Sequence, residues 1–342
     1  MADVVMADDG IAFDGAMAEA GPLGGAETAF VALAEALAAR GHRVEARTNC
    51  RAPLRHKGVG WVPLAGGVPD ACDLYIGNRG HRVIGLVPGA KRRLFWLHNP
   101  AGYLQKLRFF WPLLRHRPIL VTTGEYHAQT VPRWLPCGGC RIIPYGVLDR
   151  FRDATEREPP PPIAVFTSNP LRGLDWLLDL WFEQIRPAVP EAELHIYAGP
   201  AVYGLPGGKH TPEMEAVLAR ADPLWAEGVF RHSPVGRDAL VEVLTGARVM
   251  LYRGDPGETF CLALAEAQAM GVPAVVQPIG SVAERVIDNQ TGRVTATDDE
   301  FAEAAVALLR DDELWRQYHR NALASQRGFA WDEVAAQFEG LL

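Results

Sequence analysis

Short runs of β-branched and aromatic residues alternate along this chain with stretches whose apolar positions recur every three to four residues. Near the start, Val4-Val5-Met6 reads as a brief strand. Ala26 to Arg40 reads as a helix with Phe30, Leu33, Ala34 and Leu37 on its apolar side and Gly41 as its cap. Strands are expected at His42–Thr48, Asp73–Gly77, Arg93–His98, Ile119–Thr123 and Arg141–Pro144. After four consecutive prolines, Pro159 to Pro162, the rhythm restarts. Strands then fall at Ile163–Thr167, Glu193–Ala198, Val229–Arg231, Val249–Tyr252 and Ala274–Gln277. Helices fill Leu174–Arg186, Pro212–Ala226, Asp238–Gly246 and Cys261–Met270, with further helical segments at Asp298–Arg310, Asp312–Arg327 and Trp331–Leu342.

Strands separated by helices imply parallel sheets covered on both faces. The expected fold class is α/β, with two Rossmann-like doubly wound parallel-sheet domains and a cleft between them. The first occupies 1–150 and the second 163–328, joined by a Pro-rich linker over 151–162. A C-terminal helix in 329–342 is placed to cross back to the N-terminal domain.

Composition sharpens this picture. At roughly 100–200 residues per domain, 342 residues suit two domains, and 48% hydrophobic content can fill two cores. Five cysteines, an odd number, suit reduced thiols. No apolar run reaches the roughly 18 residues of a spanning helix. Asp3, Asp8 and Asp9 stand where a secretory signal would be basic. A cytoplasmic protein is expected, with no nucleic-acid partner. The net charge of −7 conceals an asymmetry, because Leu74 to Gly124 carries nine Lys and Arg and no carboxylate. Such a one-sign stretch sets up a positive field.

The candidate chemistry centres on Glu258 and Glu266. A strand ends at Tyr252, a Gly/Pro loop follows, and a helix is expected from about Phe260, placing Glu266 two turns beyond Glu258. The first amides of that helix, from Thr259 through Phe260 and Cys261 to Leu262, are expected to form an anion site, because a helix's first N–H groups lack intrahelical partners. A carboxylate beside a phosphate repels it and is better used as an acceptor for sugar or ribose hydroxyls. The alternative is one capping and one solvated glutamate. Gly24-Gly25 before the first helix lets backbone approach a pyrophosphate, or is a plain loop. No G-x-G-x-x-G fingerprint occurs. His98 closes a strand where cleft residues belong, or is a satisfied core histidine. Cys137 and Cys140 form a lone C-x-x-C without a second ligand pair, and no D-x-D triplet offers a metal site.

Here the residues carry a resemblance. Glu258-x7-Glu266, within "LYRGDPGETFCLALAEAQAMGVPAVV", resembles the EX7E signature of retaining GT-B glycosyltransferases of family 4. "PYGV" at Pro144–Val147, "TSNPLRGLDWLLDLW" at Thr167–Trp181, "GSVAERVIDNQTGRV" at Gly280–Val294 and "GGAE" at Gly24–Glu27 are similar to further segments of that family. The resemblance implies a metal-independent hexosyltransferase with no cofactor, using a UDP- or GDP-sugar and a glycan or lipid-linked acceptor. Polysaccharide or cell-envelope assembly is the setting it suggests. It gives Glu266 the ribose hydroxyls, Glu258 the transferred sugar, and Thr259 to Leu262 the sugar and phosphates. Gly24, Gly25, Asn169 and Gly199 join the donor site, and His98 lines the sugar pocket. Arg172 stands at the family's phosphate-binding Lys, while Thr167 occupies the position of its Arg. Asn169 or Arg253 is a candidate to compensate.

The segment Tyr103–Arg117 interleaves aromatics with Lys106, Arg108, Arg115 and Arg117 around Trp111. It suits an anionic membrane surface, a buried helix with basic edges, or an anionic acceptor. Pro112 interrupts any long helix there. Two other classes share the expected architecture. One is a sugar-nucleotide epimerase or phosphorylase, for which Lys209 is the only lysine of 161–342. The other is a non-catalytic nucleotide-sugar-binding protein.

Overall fold

The computed structural model describes residues 1–21, 23–199 and 211–342. Lys209 lies outside them. The chain forms two compact units: Met1–Gly146 with Phe329–Leu342, and the described residues between Val147 and Gly328.

In the first unit, eight strands form one sheet: β1 (Asp3–Asp8), β2 (Arg43–Thr48), β3 (Leu54–His56), β4 (Val59–Pro63), β5 (Ala71–Asn78), β6 (Gly89–Trp96), β7 (Ile119–Thr122) and β8 (Cys140–Ile142). Their order is β3-β4-β2-β1-β5-β6-β7-β8. Pairing is parallel throughout except between β3 and β4. Strand order reverses beside β1, so the switch point lies between β1 and β5. The β3–β4 hairpin escapes the sequence reading because its strands are short and its turn is Lys57-Gly58. Both turn residues take positive φ, 43° and 81°, as a hairpin turn of this hand requires.

Phe13, Phe30 and Trp61 fill one side of this sheet, with ring centroids 5.4–6.2 Å apart. The C-terminal helix Trp331–Glu339 packs against helix Gly25–Ala39. There Arg40 pairs with Asp332 at 2.9 Å and Glu339 at 2.7 Å, and Phe338 meets the Trp96 ring at 5.3 Å.

The second unit has six strands: β9 (Ile163–Phe166), β10 (Glu193–Tyr197), β11 (Val229–His232), β12 (Val249–Gly254), β13 (Ala274–Ile279) and β14 (Gly292–Val294). They run parallel in the order β11-β10-β9-β12-β13-β14, with the switch point between β9 and β12. Where a linker is expected, the chain instead belongs to this unit. Asp149–Arg152 makes a helical turn, and Arg157 donates to the Met270 and Leu244 carbonyls at 2.8 and 3.2 Å. Pro160 and Pro162 accept from Arg248 Nη1 at 3.1 Å and Glu193 N at 3.0 Å. Proline lacks a donor but keeps its acceptor, so a proline run can be anchored through carbonyls alone.

Candidate functional site

Two clusters of polar side chains sit at the carboxyl ends of the strands, one in each unit, at the position where ligands bind in such sheets. In the second unit, β9 delivers the loop holding Arg172 and β12 the loop holding Glu258. Asn169 shapes the first loop, its side-chain oxygen accepting from Leu171 N at 2.9 Å. That oxygen is therefore engaged by its own loop. In the second loop Asp255 accepts from Gly257 N at 2.8 Å, and its carbonyl from Glu258 N at 2.9 Å. Gly280 (φ 69°) packs against the Asp255 carbonyl where a side chain has no room. The next residue, Ser281, donates its amide to the Glu258 carbonyl at 3.1 Å.

Arg172 donates to Glu258 Oε2, and the Tyr252 hydroxyl donates to the same oxygen at 2.7 Å. Burial opposes the charge on Arg172, but Glu258, together with Tyr252 and Cys261, outweighs it and raises the guanidinium's pKa. Burial likewise pushes the Tyr252 hydroxyl upward, leaving it a donor. The helix begins at Leu262 rather than near Phe260, because Cys261 adopts φ 64° and cannot be helical. Its first free amides thus start at Leu262, and Thr259-Phe260-Cys261 form a buried turn leading in. Glu266, one turn along this helix, is fully buried and held by Arg237, whose Nη1 lies 2.6 Å from both carboxylate oxygens.

Gly199 follows β10, packed near Pro234. Arg253 lies over Trp176 at 4.9 Å and donates to Gln277 at 3.0 Å. It lines a cavity of about 540 Å³ with Leu171, Gly173, Trp176, Asp255 and Pro256. Glu258 and Glu266 stand outside that lining.

The first unit gathers Asp8, Asn78 and His98 at the ends of β1, β5 and β6. Asn78 donates to Asp8, His98 Nε2 meets Asn78 Oδ1, and His98 Nδ1 meets the Tyr145 hydroxyl. Both ring nitrogens of His98 are thereby engaged inside its own unit, unlike a histidine presenting its ring to a sugar. Burial pushes its pKa well below the ordinary value, so it is neutral near pH 7. Arg79, with φ 48°, bridges Asp8 at 3.0 Å and Glu27 at 2.6 Å. The Glu27 carboxylate lies against Gly24, while Gly25 faces open space. The Glu27 carboxylate, held by Arg79, therefore already fills the space beside Gly24.

Sequence reasoning overlooked Arg79, Asn78, Tyr252 and Arg237. One signal was available: Arg237 opens its helix, where a cation opposes the helix dipole.

His127, fully buried, accepts from Thr123 N at 3.1 Å and donates from Nε2 to the Asn99 carbonyl at 3.0 Å. Burial pushes its pKa down to about 4. The unfolded chain therefore binds the proton first. Stability present above about pH 6.5 is lost as pH falls toward 4, at about 1.4 kcal/mol per pH unit. Calorimetry is expected to show the unfolding midpoint falling between pH 7 and pH 5, with a smaller fall in His127→Gln. An equal fall in both would refute this assignment.

Around the basic segment, helix Leu107–His116 forms despite Pro112. Phe109 and Leu113 are buried, whereas Leu107, Trp111 and Leu114 are exposed beside exposed Lys106, Arg108, Arg115 and Arg117. Elsewhere in the carboxylate-free stretch, the positive charge is partly offset. Arg79 pairs as above, and Lys91 pairs with Asp73 at 2.7 Å. Among the described residues no helix is long and apolar enough to cross a membrane.

Residues 161–311 match the family model described as glycosyl transferases group 1. A D-inositol 3-phosphate glycosyltransferase of Xylanimonas cellulosilytica is 37% identical over 110 residues, 32% of this chain and 26% of that protein. The chain spans less than half the length of the curated relatives it matches. Among solved structures, sucrose-phosphate synthase from Thermosynechococcus elongatus aligns over 100% of this chain and 98% of its own, with TM-score 0.74 and 17% identity. Anabaena HepE in complex with UDP-glucose aligns over 99% of both chains, with TM-score 0.71 and 14% identity. The fold is therefore GT-B, built from two Rossmann-like parallel-sheet units, and residues 161–311 are similar to glycosyl transferases group 1.

Proposed function

We propose that this chain is a retaining, metal-independent glycosyltransferase that moves a hexosyl group from a UDP- or GDP-sugar to a glycan or lipid-linked acceptor. The observation that carries the reading is the meeting of Arg172 and Glu258 at the switch point of the second unit. The matched family segment supports it, as do the UDP-glucose held by HepE and the glycosyltransferase names of the relatives.

In this reading Glu266 accepts the ribose hydroxyls and Glu258 those of the transferred sugar. The amides from Thr259 to Leu262 receive phosphate oxygens. Arg172 balances the charge that grows on the departing diphosphate, a preorganised electrostatic effect. The C1–O bond to the diphosphate breaks as the acceptor oxygen bonds to C1 on the same face. The released phosphate oxygen takes the acceptor's proton. His98 holds Asn78 and Tyr145 in place rather than attacking the sugar.

Thermal-shift screening of UDP- and GDP-sugars tests the reading. A true donor at a hundred times its Kd adds about 2.7 kcal/mol, and transfer from it persists with a chelator. Binding of neither donor class sinks the reading, and loss of transfer in chelator sinks its metal-independent part.

The exposed face of helix Leu107–His116 is proposed to rest on an anionic lipid surface, its apolar residues inserting and its basic residues meeting headgroups. Combined replacement of Lys106, Arg108 and Arg115 by serine is expected to abolish flotation with anionic vesicles. Unchanged flotation would refute it.

A further inference from the structure

Glu266 lies on a helix, Leu262–Ala269, whose residues from Leu264 to Ala269 are all buried. An ionised carboxylate in such surroundings is costly unless it is paired. Burial pushes the Glu266 carboxyl up, and Arg237 acts against this. That helix packs against Asp149–Arg152, Val282–Arg285, β13 and helix Asp312–Ser325.

The charged groups on these elements have partners of their own. Arg150 pairs with Asp238, Arg152 with Asp149, Arg285 with Glu284, Asp312 with Arg248, and Glu313 with Arg316. Arg320 pairs with Glu156, and His319 bonds the Gly271 carbonyl. Among the described residues, Arg237 is the charge that acts on Glu266. It does so from the first position of helix Arg237–Gly246, against that helix's dipole. A single Nη1 spans both carboxylate oxygens at 2.6 Å, and each oxygen can accept further hydrogen bonds.

We propose that Arg237 is a positioning residue that keeps the Glu266 carboxylate charged and in one orientation, so that nucleotide recognition through ribose depends on the pair. The proposal rests on the ribose role of Glu266 given above. It predicts that ribose recognition becomes pH-dependent once Arg237 is gone, since a protonated Glu266 accepts hydroxyls poorly.

The test measures binding of UDP and GDP, and of their 2′,3′-dideoxy counterparts, from pH 6 to pH 9. Wild-type protein is expected to prefer the ribonucleotide by more than about tenfold at every pH, as is Arg237→Lys. Arg237→Met is expected to lose that preference near pH 6.5 and recover it toward pH 9. Arg237→Gln, neutral but hydrogen-bonding, gives the same reading if Arg237→Met does not fold. Preference retained by the neutral variants throughout overturns the proposal. Preference that stays lost up to pH 9 overturns it too, because shape without charge would account for it. If wild type and Glu266→Gln alike show no preference, the ribose reading fails, whatever Arg237 does.

Discussion

Replacing Arg79 with methionine is expected to destabilise the first unit by about 3–5 kcal/mol, the loss typical of breaking a buried ion pair from one side. Asp8 is fully buried, Glu27 nearly so, and the one guanidinium bridges both. Methionine fills much of the space but leaves two carboxylates without their cation. A loss of that size is a large share of a domain's net stability. The urea midpoint measures it. Adding Glu27→Gln to Arg79→Met should recover part of the loss, since it removes one stranded charge. A loss below about 1 kcal/mol in the single variant would show that the bridge is not stabilising in this way.

Arg172→Ala is expected to lower kcat by about a hundred- to a thousandfold, as removal of one preorganised charge-stabilising donor does elsewhere. Glu258→Ala should also act on turnover, because it contacts Arg172 and is assigned the transferred sugar. The two share a hydrogen bond, so the double variant should lose little more than the worse single one. Glu266→Ala, by contrast, should chiefly weaken nucleotide binding. Single-turnover rates and nucleotide titrations separate these outcomes. Full activity in both glutamate variants would remove the site assignment.

The sheets were legible because their strands are short apolar runs set between helical patterns, as in β9 and β12. Periodicity locates such runs but cannot give partners. It therefore missed the β3–β4 hairpin, whose turn is Lys57-Gly58 rather than a common Asn-Gly. Glu258 and Glu266 stand out by spacing, and the helix between them starts one or two residues later than the pattern predicts. The left-handed Cys261 decided that boundary, and no propensity scale anticipates a cysteine there. Arg79 carried no signal, and that of Arg237 named no partner, for a different reason. Each gains its meaning from a carboxylate 29 or 52 residues away, joined to it only by the folded sheet.

The C-terminal helix has a consequence for the order of folding. Its ion pairs to Arg40 span 292 and 299 residues of chain, so this helix pair closes only when two segments that far apart in sequence meet. Closing such a span costs roughly 2 kcal/mol more than closing one of thirty residues, by loop-length scaling. The intervening chain, however, folds into the second unit, whose two ends, Val147 and Gly328, pack side by side. Once that unit has formed, the long loop is already drawn to a short one. The second unit therefore acts as the clasp that brings the two partner helices of the first within reach of each other.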